Sequence, residues 1–304
     1  MIENGIFLGS KKFGFELFKA LYKADETVSW TVLCPPDLSD LRTYFDEFSN
    51  FTKVNNIDLL SAASPEMILQ FAEDHRPDVM IVCGYYRILP SKLFELINEG
   101  VWGIHNSLLP KYRGGAPLVW QIINREQVLG STFFKFADGI DDGPVLDQVT
   151  IKNTPSLTIA EAGDLIEHEW VKRVPKLWKD FCSGTLVAKK QNHNEATYCA
   201  QRQEFDGEIT WRKDALYIDS FIRAQGHPYP HAFFTYRDKK VKIVKHETDA
   251  RVVCGSIGQV FEVREDYVTI CCGENSVLRL IELEVDGTLL KAREVLNSIK
   301  VRIG

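Results

Sequence analysis

The sequence lacks several features that would place it in a special class of protein. Its 304 residues contain no run of eighteen apolar residues, so we expect no membrane-spanning helix. The opening MIENGIFLGS does not place a basic segment before an apolar core, which argues against a secretory signal and favours a cytoplasmic protein. The formal net charge is -6 at pH 7, whereas proteins that bind nucleic acid through phosphates usually carry a basic excess. We therefore expect neither a membrane nor a nucleic-acid partner.

The cysteines lack the spacing of a metal or redox site. There are seven of them, an odd number, and no two stand in a C-x-x-C motif. They are Cys34, Cys83, Cys182, Cys199, Cys254, Cys271 and Cys272. We interpret them as reduced residues that mostly pack the interior of a cytosolic protein.

A dinucleotide-binding fingerprint is also absent. The stretch GSKKFG places Gly9 and Gly14 at the first strand-to-helix turn, but it does not form G-x-G-x-x-G. No acidic residue is clearly placed about 20 residues further on, where the ribose ligand of such a site would stand. We interpret the two glycines as a close-packed turn.

The first half of the chain does contain a regular alternation of short apolar strands with amphipathic helices. This pattern predicts an α/β domain in which a Rossmann-like, mostly parallel sheet carries helices on both faces. A charged, apolar-poor linker follows, and then short strands separated by Gly, Asp and Asn predict a small, OB-like β-barrel. The predicted boundaries are 1–187 for the first domain, 188–207 for the linker and 208–304 for the barrel.

Three local patterns add detail to this organisation. We expect residues 130–138 to form a strand parallel to the one before it. Residues 158–181 have the spacing of a long amphipathic helix that Pro175 interrupts. The basic stretch YRDKKVKIVK, residues 236–245, is typical of a solvated edge strand protected by lysines, with a nucleic-acid surface as the alternative.

Two loops carry the residues best suited to chemistry. The stretch GIHNSLLPKYRGGAP, residues 103–117, places His105 and Asn106 at the end of a strand, and FADGIDDGPVL brings three aspartates after a later strand. Alone, the histidine is typical of a packed residue and the acidic loop of a solvated turn. With parallel strands and a crossover helix between them, however, the two loops would converge. A histidine facing Asp141 would be held protonated or pass a proton, so we predict a catalytic site with Asn106 close by.

The same residues resemble a known family. HNSLLPKYRGGAP followed by GIDDGPVL is similar to the formyltransferases that take a one-carbon unit from 10-formyltetrahydrofolate. CGYYRILP resembles the folate-side loop of that family, NEATYCAQRQEFDGEITW its linker, and the β-rich tail its C-terminal barrel. The resemblance implies direct attack of a substrate amine on the formyl carbon, without a metal or a nucleotide cofactor.

The resemblance also implies roles for individual residues. His105 would stabilise the oxyanion of the tetrahedral intermediate and pass protons, and Asp141 would keep that histidine charged and help to remove the amine proton. The donor, 10-formyltetrahydrofolate, would lie against three loops, held largely by main-chain groups. The residues concerned are Tyr86, Arg87, Ile88, Leu89, Ser107, Leu108, Leu109, Pro110, Ala137, Asp138, Gly139 and Ile140.

One position departs from the family pattern. The family reads Asn-x-His, with the Asn donating to the oxyanion, and the matching position here is Gly103. Asn106 would replace it only where the strand has already become a loop, because adjacent strand residues point to opposite faces. A main-chain donor, a water molecule or a weakened enzyme are the alternatives.

The acceptor is the second open question. Residues 34–56, which correspond to a basic insertion in the tRNA-formylating members, contain four acidic residues and two basic ones. The Tyr-Tyr-Arg run resembles the UDP-aminoarabinose formyltransferase, although that enzyme has an Arg where Gly115 stands here. We therefore expect a nucleotide-linked amino sugar as acceptor, contacted by Tyr85, Lys111 and Arg113.

Other functions stay open at this stage. They are methionyl-tRNA formylation, formylation of an amino acid or hydroxylamine, and folate binding or hydrolysis without transfer. The sequence leaves a homodimer open as well.

Overall fold

The computed structural model of the chain describes residues 2–37, 40, 42–61 and 64–303. The chain forms two compact units, of which the N-terminal one consists of Met1–Pro117, Gly130–Ile151 and Gly163–Cys199. The C-terminal unit consists of Leu118–Leu129, Lys152–Ala162 and Ala200–Gly304. The first part of the predicted linker, residues 188–199, therefore belongs to the N-terminal unit.

Strands and helices alternate up to residue 105, as the apolar patterns predict. The strands up to residue 199 are β1 (Asn4–Leu8), β2 (Ser29–Leu33), β3 (Asp58–Leu60), β4 (Val79–Val82), β5 (Val101–His105), β6 (Arg113–Gly114), β7 (Val128–Lys135), β8 (Val145–Lys152) and β9 (Tyr198–Cys199). The helices before residue 200 are α1 (Lys12–Ala24), α2 (Phe45–Val54), α3 (Pro65–His75), α4 (Lys92–Leu96), α5 (Pro117–Ile123) and α6 (Ile159–Cys182).

The N-terminal sheet has the strand order β3-β2-β1-β4-β5-β7-β8. The five strands β3, β2, β1, β4 and β5 run parallel to one another. Alternate residues of each strand face the helices on opposite sides of the sheet. Met80 and Val82 pack with Ile68 and Leu93 of α3 and α4, whereas Ile81 faces α1 and α6. The predicted mostly parallel sheet with helices on both faces is confirmed.

The turn between β1 and α1 brings the main chain close to the end of β4. A Cβ atom would lie 2.1 Å from the Cys83 carbonyl oxygen at Gly9 and 2.4 Å from it at Gly14. Only glycine leaves room for this approach, and the predicted close-packed turn is confirmed.

Strand β7 runs antiparallel to β5, so the predicted parallel orientation of residues 130–138 is wrong. His105 pairs with Thr132, and Trp102 pairs with Lys135. The segment from β5 to β7 contains the short helix α5. After this segment the chain runs back beside β5 in the opposite direction. Consequently the carboxyl ends of β5 and β7 point in opposite directions. The predicted meeting of two loops at the ends of parallel strands does not explain the site.

Helix α6 continues through Pro175, so the predicted interruption is also wrong. A proline inside a helix removes a hydrogen bond and costs roughly 3 kcal/mol. The buried side chains of Trp170, Val174 and Trp178 lie on both sides of Pro175. Since one apolar face spans the proline, its burial against the sheet outweighs the lost hydrogen bond.

The C-terminal unit contains an antiparallel sheet with the strand order β10-β11-β14-β13-β12, and β15 pairs with β14. Its elements are α7 (Ala215–Arg223), β10 (Phe233–Tyr236), β11 (Lys239–Asp249), β12 (Val260–Val263), β13 (Val268–Cys271), β14 (Val277–Val285), β15 (Thr288–Lys291) and α8 (Ala292–Val295). Residues of α7 such as Ile218 and Ile222 pack with Ile243 and Leu280 of the sheet. The curled sheet is a half-barrel and confirms the predicted β-rich C-terminal domain.

The basic stretch at 236–245 forms most of the β10–β11 hairpin, but its lysine-rich strand is not an edge. Strand β11 lies between β10 and β14. Lys239, Lys240 and Lys242 form ion pairs with Asp286, Glu204 and Glu284. The lysines therefore neutralise neighbouring carboxylates, which corrects the prediction of a solvated edge strand.

Two general features of the described residues bear on class. No helix within residues 2–37, 40, 42–61 and 64–303 is long and apolar enough to span a bilayer. Within the same ranges, no three His, Cys, Asp or Glu side chains are arranged to hold a metal ion.

Two helical glycines provide a test of the close-packed turn. We expect Gly14→Ala to lower the free energy of unfolding by about 1–3 kcal/mol, because the new methyl group meets main-chain atoms of Cys83. The matched substitution is Gly163→Ala in α6, where the new methyl group has no atom within 4 Å. It should raise the free energy of unfolding by about 0.5–1 kcal/mol. Urea denaturation measures both, and equal effects would contradict the proposed packing.

Candidate active site

His105 is the last residue of β5, and both nitrogens of its ring face oxygen atoms. Nε2 lies 2.7 Å from the main-chain oxygen of Tyr112, and Nδ1 lies 3.4 Å from Oδ2 of Asp141. A carbonyl and a carboxylate are both acceptors, so an imidazolium, which donates from both nitrogens, satisfies the two contacts. The ring is largely buried, with Phe134 edge-on at a centroid distance of 6.3 Å.

Asp141 reaches His105 from the connection between β7 and β8. This residue has a φ of +47°, and its carboxylate Oδ2 also accepts from the Gly114 N–H at 2.8 Å. Close packing shapes the connection, since a Cβ at Gly143 would lie 1.8 Å from the Lys135 carbonyl oxygen. The folded connection, rather than parallel strand ends, brings the histidine and the carboxylate together.

The loop after His105 is fixed by two polar residues that the sequence did not identify. Thr132 Oγ1 accepts from the Leu109 N–H at 3.1 Å and donates to the Ser107 carbonyl at 2.6 Å. Gln148 Nε2 donates to the Leu109 carbonyl and to Thr132 Oγ1 at 3.0 and 2.9 Å. Thr132 lies on the predicted strand 130–138, and Gln148 lies on β8, which was not predicted. Strand periodicity does not reveal a hydrogen bond to a distant loop.

Asn106 is bound on the side of the sheet that faces α6. Its Oδ1 accepts from Ser131 Oγ at 2.9 Å, and Ser131 Oγ in turn accepts from the Trp170 indole at 2.9 Å. Ser131 and Trp170 are fully buried. The His105 ring, by contrast, contacts Tyr112 and Asp141, as expected for neighbouring residues at the end of a strand.

An aromatic ring fills the space beside Gly103. A Cβ atom there would lie 2.6 Å from Cε1 of Phe136 and 2.9 Å from the Val82 carbonyl oxygen. The Phe136 ring stacks on Phe134 at 5.1 Å and meets Phe94 edge-on at 6.1 Å. The position that matches the family Asn therefore cannot carry a side chain while Phe136 keeps this place.

The predicted donor-binding residues lie in three loops of the N-terminal unit. After β4, Tyr86, Arg87 and Ile88 are exposed, whereas Leu89 packs in the core. After β5, Leu109 is buried and the Ser107 hydroxyl donates to the Lys111 carbonyl at 2.6 Å; Leu108 and Pro110 are half-buried. After β7, Ala137 is half-buried, and Asp138, Gly139 and Ile140 are exposed.

The predicted acceptor contacts have different surroundings from one another. Lys111 is exposed, but Arg113 is only 2% exposed, and its guanidinium binds Gln191. Tyr85 is half-buried against the core, and burial raises the pKa of its phenol above the ordinary value. The Tyr85 hydroxyl has no hydrogen-bond partner among the residues that the structure describes.

Gln191 is the clearest contributor that sequence reasoning missed. It lies in the segment predicted as a linker, yet it is 8% exposed and binds Arg113 and the main chain of Asp141. Strand β9 of the same segment pairs with β6, which joins it to the glycine-rich turn. A lone Gln in a polar stretch carries no periodic signal, so one sequence could not have revealed it.

The arrangement places an imidazole, with an acceptor oxygen facing each of its nitrogens, next to exposed loops. A protonated imidazole whose charge is balanced by a carboxylate can stabilise an oxygen that gains negative charge and can transfer a proton. The apolar flank of Phe134 and the buried position of the ring strengthen these electrostatic effects. Acyl-type transfer through a tetrahedral intermediate requires such a group.

The packing of Gly103 against Phe136 predicts a coupled pair. We expect Gly103→Ala to lower the free energy of unfolding by about 1–3 kcal/mol, because its methyl group overlaps the ring. In a Phe136→Ala background the same substitution should cost about 1 kcal/mol less, since the ring has gone. A double-mutant cycle in urea measures this, and additive effects would show that the ring does not restrict position 103.

Two family descriptions match most of the chain. Formyl transferase matches residues 26–175, and the C-terminal domain of formyl transferase matches residues 202–300. The methionyl-tRNA formyltransferase of Acetivibrio thermocellus is 29% identical over 289 residues, which cover 93% of this chain and 92% of that one. The enzyme of the same name from Clostridium novyi is 31% identical over 253 residues, or 81% of each chain.

A solved structure shows the same fold. The N-formyltransferase from Helicobacter canadensis, in complex with folinic acid and dTDP-3-aminofucose, superposes with a TM-score of 0.69 at 19% identity. The match covers 92% of this chain and 99% of that one. Sequence and fold thus agree with the residues around His105 and Asp141, and the chain belongs to the formyl transferase family.

Proposed function

We propose that this protein transfers a formyl group from 10-formyltetrahydrofolate to the primary amine of a small acceptor, a nucleotide-linked amino sugar. The observation that carries the transfer is the buried His105 ring with Asp141 Oδ2 3.4 Å from one nitrogen. Family membership supports the reaction type. Folinic acid in the Helicobacter canadensis complex supports a folate as the donor.

In the proposed reaction the nitrogen of the neutral acceptor amine attacks the formyl carbon. The carbonyl oxygen becomes negative in the tetrahedral intermediate, where the His105 imidazolium stabilises it. The amine proton leaves with the help of Asp141 and His105. The bond between the formyl carbon and N10 of the folate then breaks, and N10 receives a proton.

We assign the donor to the loops that begin after β4, β5 and β7. The exposed residues Tyr86, Arg87 and Ile88 form one side, and the segment 137–140 forms another. Leu89, Ser107 and Leu109 are buried, and main-chain groups of Ser107 and Leu109 already bind Thr132 and Gln148. These three residues would therefore shape the loops beside the donor. Lys111 is assigned as a contact for the acceptor. Asn106, predicted to help His105, binds Ser131 on the side of the sheet that faces α6, so we assign it no contact with the oxyanion.

Charge supports a small acceptor over a large nucleic acid. Residues 208–304, the predicted barrel domain, contain 15 Lys and Arg against 14 Asp and Glu and are therefore nearly neutral. Lys239, Lys240 and Lys242 of the β10–β11 hairpin are paired with carboxylates. Since phosphate contacts dominate nucleic-acid affinity, a neutral unit with paired lysines offers little for tRNA.

Formylation of methionyl-tRNA is the second candidate. Its support is the identity of the sequence relatives, since the proteins of Acetivibrio thermocellus and Clostridium novyi are both named methionyl-tRNA formyltransferase. The two candidates share the donor and the transfer step and differ in the acceptor surface.

A panel of amines tests the acceptor. With 10-formyltetrahydrofolate as donor, we expect kcat/KM for dTDP- or UDP-linked amino sugars to exceed that for methionyl initiator tRNA by about 10²-fold or more. Release of tetrahydrofolate measures turnover. Preference for the tRNA, together with loss of that activity in Lys240→Glu, would contradict the small acceptor. Release without any acceptor would indicate a hydrolase instead.

Substitution of the site residues tests the transfer step. We expect His105→Gln or Asp141→Asn to lower kcat/KM by about 10²–10⁴-fold, because the charged donor to the oxyanion is lost. The matched control is His246→Gln in the C-terminal unit, whose Nε2 lies 3.0 Å from Asp219 in a comparable His–Asp pair. Circular dichroism confirms folding. Turnover of His105→Gln within threefold of the parent would reject the assignment.

A further inference from the structure

All four hydrogen-bonding positions of the Gln191 carboxamide are used. The oxygen accepts from Arg113, at 3.2 Å from Nε and 2.6 Å from Nη2. The nitrogen donates to the carbonyl of Asp141 at 2.8 Å and to the carbonyl of Gly143 at 2.7 Å. A primary amide has two acceptor sites and two donors, and among side chains only Asn and Gln provide this set.

These bonds hold the main chain on which the Asp141 carboxylate depends. The φ of +47° at Asp141 is uncommon for a residue other than glycine and persists only where surrounding contacts fix it. Gln191 binds the carbonyl of this residue, and the Gly114 N–H binds its carboxylate at 2.8 Å. Main chain and side chain are therefore both fixed opposite His105.

Arg113 determines which way the Gln191 amide points. Its guanidinium is 2% exposed and also contacts the Tyr198 hydroxyl and His193 Nδ1, each at 3.3 Å. In the described part of the chain, no Asp or Glu lies within ion-pair distance of it. The buried cation requires an acceptor, so the amide oxygen must face Arg113 and the nitrogen must face the Asp141 carbonyl.

We propose that Gln191 is a positioning residue of the active site: oriented by Arg113, it holds the main chain of Asp141 so that the carboxylate faces His105. This inference rests on the proposed function, in which Asp141 keeps the imidazole charged. It also changes the role of Arg113, which was predicted to contact the acceptor. Arg113 acts from inside the N-terminal unit, through Gln191.

The variant Gln191→Glu removes the donor function of the amide and keeps its acceptor function. Its carboxylate still accepts from Arg113, but it has no N–H for the carbonyls of Asp141 and Gly143. We expect kcat for formyl transfer to fall by about 10- to 100-fold, as for a small misplacement of a catalytic group. KM for donor and acceptor should stay within about threefold, because no substrate contact is removed.

Amide hydrogen exchange provides a readout that does not depend on activity. In Gln191→Glu the Gly114 amide, which donates to the Asp141 carboxylate, should exchange about tenfold faster or more. The neighbouring Gly115 amide donates to the Cys199 carbonyl at 3.0 Å and should keep its rate. Equal acceleration of both amides, or no change at either, would overturn the positioning role.

Gln225→Glu is the matched control. Gln225 is a buried glutamine of the C-terminal unit that accepts from Arg202 Nη2 at 2.7 Å and donates to the Phe221 carbonyl at 3.2 Å. It should change stability to a similar degree while kcat and the Gly114 exchange rate stay unchanged. A loss of kcat equal to that of Gln191→Glu would contradict a specific role.

Two further outcomes keep the inference and the proposed function distinguishable. Faster exchange at Gly114 with unchanged kcat would support Gln191 as the residue that positions Asp141 and would count against Asp141 in the transfer step. Should Gln191→Glu not fold, Arg113→Lys retains the charge and loses the planar fork, and it should accelerate Gly114 exchange over Gly115 in the same way. Equal rates in that variant would again overturn the proposal.

Discussion

The contact of one imidazole ring with two acceptor oxygens is the constraint on which the N-terminal unit depends. His105 offers one nitrogen to the Tyr112 carbonyl and the other to Asp141. Strand β5 delivers the ring, the loop after it folds back to supply the carbonyl, and the connection between β7 and β8 supplies the carboxylate. Segments far apart in sequence must all be in place before the buried ring can make both contacts.

The sequence patterns predict some parts of the fold and the site but not others, because each pattern reports only one physical property. Hydrophobic alternation reports burial, so it gave the parallel sheet, its helices and the β-rich C-terminal unit. It does not report strand direction, and β7 was therefore placed parallel although it is antiparallel. His105 and Asp141 stood out as reactive types beside glycines. Gln191 and the Phe136 ring act through contacts made only after folding, and no local pattern encodes such contacts.

Two His–Asp pairs among the described residues show why residue type alone does not define a site. His246 and Asp219 are the closer pair, and Arg223 also binds the same carboxylate. That pair sits between α7 and β11 within a packed unit, as expected of a structural contact. The His105 pair is longer, lies at a strand end and is surrounded by exposed loops. Its position and partners, rather than its distance, point to chemistry.

The protonation of His105 is the most direct test of the account. Nitrogen-15 NMR of histidine-labelled free protein near neutral pH reports whether each ring nitrogen carries a proton, and His105→Gln identifies the signal. We expect Nε2 of His105 to carry a proton, because a carbonyl oxygen faces it, and the Nδ1 signal to shift in Asp141→Asn. An Nε2 without a proton, or an Nδ1 signal that Asp141→Asn leaves unchanged, would contradict the central claim.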